Sequence, residues 1–205
     1  HEHVSIQSVA HGGHGVCRIE GQVCFVPYAL PGDVVDVEIV RQAKGVLWGC
    51  IARLVEPSPH RTTPECPVFG ECGGCSWLHF AYPAQAEWKR RIVADCLERI
   101  AKVNADVQWT EDPAFRLGYR TRAEFQTDGE LWGFFRSGSH DVVDVVSCPL
   151  CHPRLNAAIA DLRRLKLRNP VELVANPEGD EVLAWTKQPE PALSEAFAFV
   201  NSPRD

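Results

Sequence analysis

Three cysteines stand close together in the first half of the chain, and two more follow far downstream. Cys66, Cys72 and Cys75 fall within ten residues, while Cys148 and Cys151 form a second group. Cysteine thiolates bind soft metal ions and iron–sulfur clusters, and the two glycines between Cys72 and Cys75 allow the backbone to wrap closely around a bound group. The residue types and their spacing therefore predict a metal centre.

Two kinds of metal centre are compatible with this spacing. In the first, Cys66, Cys72, Cys75 and Cys148 hold a 4Fe-4S cluster, as four cysteines do in bacterial ferredoxins. In the second, the pairs Cys72-x2-Cys75 and Cys148-x2-Cys151 bind zinc, because paired motifs of this kind are typical of structural zinc sites. A third interpretation is that the thiols are free and simply packed. The other four cysteines occupy apolar positions where buried side chains are expected: Cys17, Cys24, Cys50 and Cys96.

The elements that position these cysteines change along the chain. Short runs of β-branched and apolar residues, separated by turns rich in glycine and proline, predict five strands in residues 1–56. We expect them at Val4–Val9, Val16–Ile19, Val23–Val26, Val34–Ile39 and Leu47–Val55. Strands at this spacing favour a small OB-like β-barrel, a fold whose faces and loops bind single-stranded nucleic acid.

The remainder of the chain changes character. Residues 57–105 comprise a linker, the cysteine loop and a helix predicted from Pro83 to Val103, where apolar residues recur every fourth position. Residues 106–190 alternate strands and a helix, as expected for a central domain with an antiparallel sheet, and residues 191–205 are predicted to be a linker. The expected fold class is α+β, with an OB-like barrel followed by an antiparallel α+β domain that carries a cysteine-ligated cluster.

Composition limits the classes of function. The net charge of -6, from 21 basic and 27 acidic residues, excludes a uniformly basic nucleic-acid-binding protein. Basic residues still collect at Lys89–Arg91 and again at Arg116, Arg120, Arg122 and Arg136, which leaves a local basic face open. No apolar run is long enough to span a bilayer and no signal pattern is present, so we expect a cytoplasmic monomer with no membrane partner. Nine cysteines in such a chain favour metal ligation over disulfides.

Motifs along nearly the whole chain resemble those of one enzyme family. They are Gly12-Gly13-x-Gly15-Val16, Ala29-Leu30-Pro31-Gly32-Asp33, Cys66-x5-Cys72-Gly73-Gly74-Cys75, Tyr119-Arg120-x-Arg122, Gly133-Phe134-Phe135-Arg136 and Cys148-Pro149-Leu150. His79, Tyr82, Gln85 and Lys89 belong to the same pattern, whereas Leu78 stands where relatives often have Gln. In this order the motifs are similar to those of the RlmD (RumA) group of 23S rRNA uracil-5-methyltransferases.

The resemblance implies a TRAM domain, an OB-like RNA-binding barrel, up to about Glu56. It also implies that Cys66, Cys72, Cys75 and Cys148 are the ligands of a 4Fe-4S cluster. Cys151 remains a competing thiolate, so zinc stays an alternative.

Full-length members of the group methylate C5 of uridine in ribosomal RNA with S-adenosylmethionine. No nucleophile motif and no GxGxxG-type cofactor motif is found in the sequence, so no catalytic residue is assigned. We expect that S-adenosylmethionine binds only through a missing C-terminal domain and that this chain alone is inactive.

A ribosomal RNA partner would need cationic anchors for phosphate and flat side chains for unstacked bases. The candidate contacts are Lys89, Arg90, Arg116, Tyr119, Arg120, Arg122, Phe134, Arg136 and His140, with His14, Arg18 and Lys44 as weaker candidates on the barrel. For Tyr119 and Phe134, packing within the sheet is an equally good interpretation. The alternative function is a zinc-stabilised or redox-sensing RNA-binding adaptor without enzymatic activity.

Overall fold

The computed structural model describes residues 1–110, 112–176, 178 and 180–201, and within them the chain forms two compact units. The first unit contains His1–Pro64 and continues from Ser76 to residue 110. The second contains Glu65–Cys75 and the residues from Asp112 onward. The cysteine loop therefore belongs to the second unit, although the segments on both sides of it belong to the first. Residues 57–105, which the sequence suggested as one connecting region, are divided between the two units.

Six strands form one sheet in the first unit. The strands are β1 (Val4–Ser5), β2 (Ser8–Val9), β3 (His14–Ile19), β4 (Gln22–Pro27), β5 (Val34–Ala43) and β6 (Val46–Glu56). Their order is β1-β5-β6-β4-β3-β2, and every pair is antiparallel except β4 with β6. Successive side chains of a strand point to opposite faces, and one face is buried: Ile6, Cys17, Val26, Val35 and Leu47 belong to the core.

One short segment covers both edges of this sheet. Strands β1 and β2 stand at opposite ends of the strand order, yet only Ile6 and Gln7 separate them in the sequence. The backbone NH of Ile6 donates to the carbonyl of Asp33, and that of Gln7 donates to the carbonyl of Val16. Covering the edges in this way removes unpaired strands, as small barrels do. The strand-rich N-terminal domain is confirmed, while the single strand predicted at Val4–Val9 is two short strands.

A buried ion pair holds the segment that follows the sheet. Asp33 is completely buried, and its carboxylate accepts hydrogen bonds from Nε and Nη2 of Arg61 at 2.8 and 2.7 Å. The same carboxylate accepts hydrogen bonds from the backbone NH groups of Leu30 and Ser58. A buried charge needs such partners to offset its lost hydration. Residues near Arg61 are consequently fixed to the first unit rather than forming a free linker.

The long helix also belongs to the first unit. Helix α1 (Tyr82–Cys96) has proline in its first turn and continues as a π-helical turn at Leu97–Ala101. It ends at Lys102, whose backbone is left-handed with φ of 59°. The helix packs through Trp88 and neighbouring apolar side chains against a small buried cluster around Phe80. The helix predicted from Pro83 to Val103 is thus present with similar bounds.

The second unit contains a six-stranded sheet and one helix, which confirms the mixed α+β class. Its elements are β7 (Arg122–Thr127), β8 (Trp132–Phe135), β9 (Val142–Asp144), α2 (Pro153–Arg164), β10 (Val171–Ala175), β11 (Val182–Trp185) and β12 (Phe199–Asn201). The order is β12-β11-β10-β7-β8-β9, and only β11 and β12 are parallel. Helix α2 buries Leu155, Ile159 and Leu162, which share one helical face.

The tail differs from the linker that the sequence predicted. A 3-10 helix forms at Pro191–Glu195, and β12 extends the second sheet. Short irregular segments of this kind carry no periodic pattern, so the sequence offered no signal for them. Residues 202–205 of the predicted linker lie outside the described residues. No helix among the described residues has the length and apolar character needed to cross a membrane.

Candidate metal centre and nucleic-acid contacts

The four cysteines predicted as ligands line one narrow cavity in the second unit. Cys66, Cys72 and Cys75 come from the loop, and Cys148 comes from the segment between β9 and α2. The thiols are buried or half-buried. The remaining walls of the cavity are mainly apolar and consist of Val68, Phe69, Gly74, Phe134 and Val145. Arg120 is the one cation among these described lining residues. The structure therefore brings the distant Cys148 to the three cysteines of the loop.

Backbone hydrogen bonds hold the cysteine loop in place. The NH of Gly73 donates to the carbonyl of Phe135 in β8 at 2.9 Å. The NH of Gly74 points at Sγ of Cys72, 3.4 Å away. A Cβ atom at Gly73 would stand 3.1 Å from the oxygen of Phe135, so the glycine allows the loop to approach the strand closely.

Cys148 is positioned by the first turns of α2. The side-chain oxygen of Asn156 accepts a hydrogen bond from the NH of Cys148 at 2.9 Å, and its NH2 donates to the carbonyls of Cys148 and Cys151 at 3.0 and 3.3 Å. Cys151 also donates its NH to the carbonyl of Cys148. The sequence does not predict this role of Asn156, because a single asparagine on a helix has no characteristic spacing.

Burial and one cation govern the ionisation of these thiols. Burial raises the pKa of Cys72 and that of Cys75, the latter to about 11. The hydrogen bond between Cys148 and Cys151 lowers the pKa of Cys148 and raises that of Cys151. The charge of Arg120 partly opposes the rise in pKa at Cys72, Cys75 and Cys151, and it adds to the lowering of the pKa at Cys148. A cation at this place favours the thiolate, which is the form that binds metals.

The described donors can be compared with what a single metal ion requires. Across the part of the chain that the structure describes, no three side chains of His, Cys, Asp or Glu are arranged to hold one metal ion. Tetrahedral zinc with Zn–S bonds of ~2.3 Å would draw its sulfur ligands to within about 3.8 Å of each other. Among the described residues, the thiols therefore do not form a closed site for one such ion.

Two of the predicted RNA contacts lie in the first unit, on α1. Lys89 is half-buried, its Nζ stands 5.4 Å from the centre of the Trp77 ring, and burial lowers its pKa. Arg90 forms an ion pair with Glu87 at 3.1 Å. Both side chains therefore already make contacts within the first unit, with Trp77 and with Glu87.

Two other predicted contacts form ion pairs with the cysteine loop. Arg116 lies 2.5 Å from Glu65, which precedes Cys66. Arg136 lies 3.2 Å from Glu71, which precedes Cys72. Both arginines are exposed, so their outward sides stay accessible to solvent. Their role in RNA binding stays a prediction.

The other five candidates in the second unit have different surroundings. Arg120 and Phe134 line the cysteine cavity, so both face the candidate metal centre. Arg122 pairs with Glu172 across β7 and β10 at 2.9 Å. Tyr119 is exposed, and His140 is exposed with its ring edge-on to a neighbouring phenylalanine. The position of Arg120 among the thiols has no signal in the sequence.

Comparison with known proteins gives these features a family context. Residues 2–51 match the TRAM domain family. The 23S rRNA (uracil(1939)-C(5))-methyltransferase RlmD of Shewanella amazonensis is 35% identical over 173 residues, which cover 80% of this chain and 39% of that protein. An uncharacterized RNA methyltransferase of Nitratidesulfovibrio vulgaris is 39% identical over 153 residues, or 72% of this chain and 33% of the relative.

A further relative and a solved structure agree with these matches. An uncharacterized RNA methyltransferase of Halalkalibacterium halodurans is 34% identical, covering 79% of this chain and 36% of its own length. The chain thus spans less than half the length of these relatives. The crystal structure of the Pyrococcus abyssi tRNA (uracil-54, C5)-methyltransferase with S-adenosyl-L-homocysteine is similar in fold, with a TM-score of 0.63 and 23% identity over 97% of this chain and 50% of that one. The chain therefore contains a TRAM domain, and its homologues are RNA methyltransferases that include the RlmD type.

Proposed function

We propose that this chain is the RNA-binding and iron–sulfur portion of an S-adenosylmethionine-dependent methyltransferase that acts on C5 of uracil in 23S rRNA. The observation that supports it is the similarity to RlmD over 80% of the chain, combined with four cysteines around one cavity. The relatives extend well beyond the part that this chain matches, and we assign methyl transfer to those further regions.

The four cysteines that line the cavity are a suitable set of donors for a 4Fe-4S cluster. Four cysteines are the usual ligand set of such a cluster, which is wider than a single ion and accommodates sulfurs that lie further apart than around zinc. Apolar side chains such as Val68 and Val145 would keep water away, and the cation of Arg120 would offset the negative charge of the thiolates. When bound, the cluster would supply a covalent tie between the cysteine loop and the segment before α2. Its role in this proposal is structural.

Iron content tests the metal part of the proposal. Protein purified without oxygen should contain about four iron atoms and absorb broadly near roughly 400 nm. Cys66→Ser and Cys148→Ser should lose this absorbance, whereas Cys96→Ser, which removes an exposed thiol on α1, should keep it. Cys151→Ser is the decisive comparison because zinc bound by paired CxxC motifs would need this thiol. Zinc in place of iron, lost on Cys151→Ser, would refute the cluster.

RNA binding tests the other part. We expect the chain to bind a fluorescent single-stranded fragment of 23S rRNA with an affinity that falls as salt rises, by a logarithmic slope of about -0.7 for each phosphate contacted. It should transfer no methyl group from S-adenosylmethionine by itself. An affinity that changes several-fold when the metal centre is reduced would favour the redox-sensing adaptor instead. An affinity independent of salt would contradict phosphate recognition.

A further inference from the structure

The outer face of the first sheet and the end of α1 enclose a groove of about 620 Å³, all within the first unit. Such a volume is in the usual range for sites that bind small molecules or parts of larger ones. The sheet supplies His14, Val16 and Phe25 together with Trp48, and the helix supplies Ile92 and Ile100. The groove is separate from the cysteine cavity and shares no residue with it.

Strand register explains why aromatic side chains gather here. Phe25 in β4 is the direct partner of Trp48 in β6, and Val16 in β3 is the direct partner of Phe25. Residues directly opposite one another on neighbouring strands point to the same face. The ring centres of Phe25 and Trp48 are 5.1 Å apart, and His14 meets Trp48 edge-on at 5.4 Å. The wall is therefore a continuous set of partly exposed rings.

The helix leaves this wall partly uncovered. Ile92 packs against the buried cluster around Phe80, which anchors α1 to the sheet. One and two turns later, Cys96 and Ile100 line the groove, but Ile100 is 78% exposed. Large apolar side chains facing solvent on both walls of a cleft are unusual for a surface without a partner. The open end of the groove thus has room for an inserted flat group.

Charge indicates what kind of partner fits. Arg18 and Arg99 line the groove, and the guanidinium of Arg41 lies 5.6 Å from the centre of the Trp48 ring. None of the three forms an ion pair with any residue in the described ranges, although ten other arginines there do. Asp95 is the single acidic side chain among the groove's described lining residues. Aromatic rings suit flat groups, and cations without an ion pair suit negative charges, so the groove is complementary to an anionic polymer that carries flat substituents.

We propose that this groove binds one unstacked base of single-stranded RNA. The base packs against Trp48, Phe25 and His14, while Arg18, Arg41 and Arg99 contact the adjoining phosphates. Stacking on aromatic side chains with cationic anchors for the backbone is how single strands are bound with little dependence on sequence. Lys44 lies in the exposed turn between β5 and β6 and is not among the residues that line the groove. The inference rests on the proposed RNA-binding function and specifies a site for it.

Nuclear magnetic resonance of the tryptophan indole groups tests the site directly. The full chain is titrated with single-stranded ribonucleotide pentamers of one base type each. The indole NH of Trp48 should shift on binding, whereas that of Trp109, an exposed tryptophan outside the groove, should not. Unchanged Trp48 signals in a complex that nevertheless forms would overturn the groove while leaving RNA binding itself intact.

Affinity of variants provides the second measurement. Trp48→Ala should weaken binding by roughly 5- to 150-fold, the range that loss of one stacked base implies. Trp48→Phe should recover most of the affinity, and Trp109→Ala should change nothing. Arg18→Ala and Arg41→Ala should each make the salt dependence shallower by about 0.7. A folded Trp48→Ala protein that binds RNA like the wild type would refute the proposal, as would dimerisation that shifts the Trp48 signal without RNA.

Discussion

The buried pair of Asp33 and Arg61 should dominate the stability of the first unit. Replacing Asp33 with alanine removes the acceptor of four hydrogen bonds and leaves two buried backbone NH groups and a guanidinium without that partner. Breaking one side of a buried ion pair costs about 3–5 kcal/mol. With a urea dependence of about 2 kcal/mol per molar, the unfolding midpoint should fall by about 2 M.

The exposed pair of Asp36 and Arg53 is the matched control. It joins the same two side-chain types at 2.8 Å between β5 and β6, in the same unit, but Arg53 is 63% exposed. Solvent screens such pairs, so Asp36→Ala should shift the midpoint far less. Unfolding is best followed by amide signals of β3 and β5, which report on the first unit alone.

A third variant keeps the test informative if Asp33→Ala does not fold. Asp33→Asn preserves the shape of the side chain and loses the charge, and we expect it to fold with a loss of about 1–3 kcal/mol. A midpoint for Asp33→Ala equal to that of Asp36→Ala would show that burial of the pair contributes nothing. The reasoning about offset charge in this unit would then be wrong.

Three more predictions concern other parts of the molecule. Burial, and then the charge of Arg61, lower the pKa of His79 to about 4. The unfolded chain takes up the His79 proton near pH 6.5, before the folded chain does, so the free energy of unfolding should fall by up to about 3 kcal/mol between pH 6.5 and 4. Thermal melts of His79→Gln over this pH range should lack the His79 contribution to the fall in stability. A Cβ at Gly133 would overlap the carbonyl oxygen of Val143 on the neighbouring strand, so Gly133→Ala should cost about 1–3 kcal/mol in urea unfolding. An unshifted midpoint would contradict the close strand contact. In chelator-treated protein at pH 8, Arg120→Gln should slow alkylation of the thiols because the lost charge no longer favours the thiolate, while Arg120→Lys should not slow it. Equal alkylation rates for Arg120→Gln and the wild type would exclude the charge of Arg120 as a cause of thiolate formation.

The sequence could predict the elements whose residues repeat with a regular period. The strands of β3 to β6 and helix α1 follow alternation or a four-residue recurrence, and the structure contains them with bounds that differ by a few residues. The meeting of Cys148 with the loop cysteines was also predictable, because metal ligands must converge wherever they stand in the chain. Periodicity and ligand chemistry are properties of the residues themselves.

Other features depend on long-range neighbours that a single sequence does not reveal. Arg120 stands among other arginines in the sequence, and its position beside the thiols follows from the hydrogen bond between its backbone NH and the carbonyl of Leu150. Its predicted contact with RNA stays a prediction. The predicted strand at residues 4–9 is divided into β1 and β2 because β1 pairs with β5 and β2 pairs with β3. The residues of this segment do not by themselves determine that division. Such outcomes follow from tertiary packing, which overrides local preference.

Net charge alone does not decide whether a chain can bind RNA, and the pairing of the arginines in this chain illustrates the reason. Ten of the described arginines have a carboxylate partner, so their charges are largely compensated before any ligand arrives. A phosphate must compete with those carboxylates, whereas it meets no such competition at an unpaired guanidinium. Arg18, Arg41 and Arg99 form no ion pair within the described ranges and lie at the aromatic groove, whereas Arg120 and Arg168, which likewise form none there, belong to the second unit. An acidic protein can therefore bind a polyanion when its uncompensated cations are concentrated at one place.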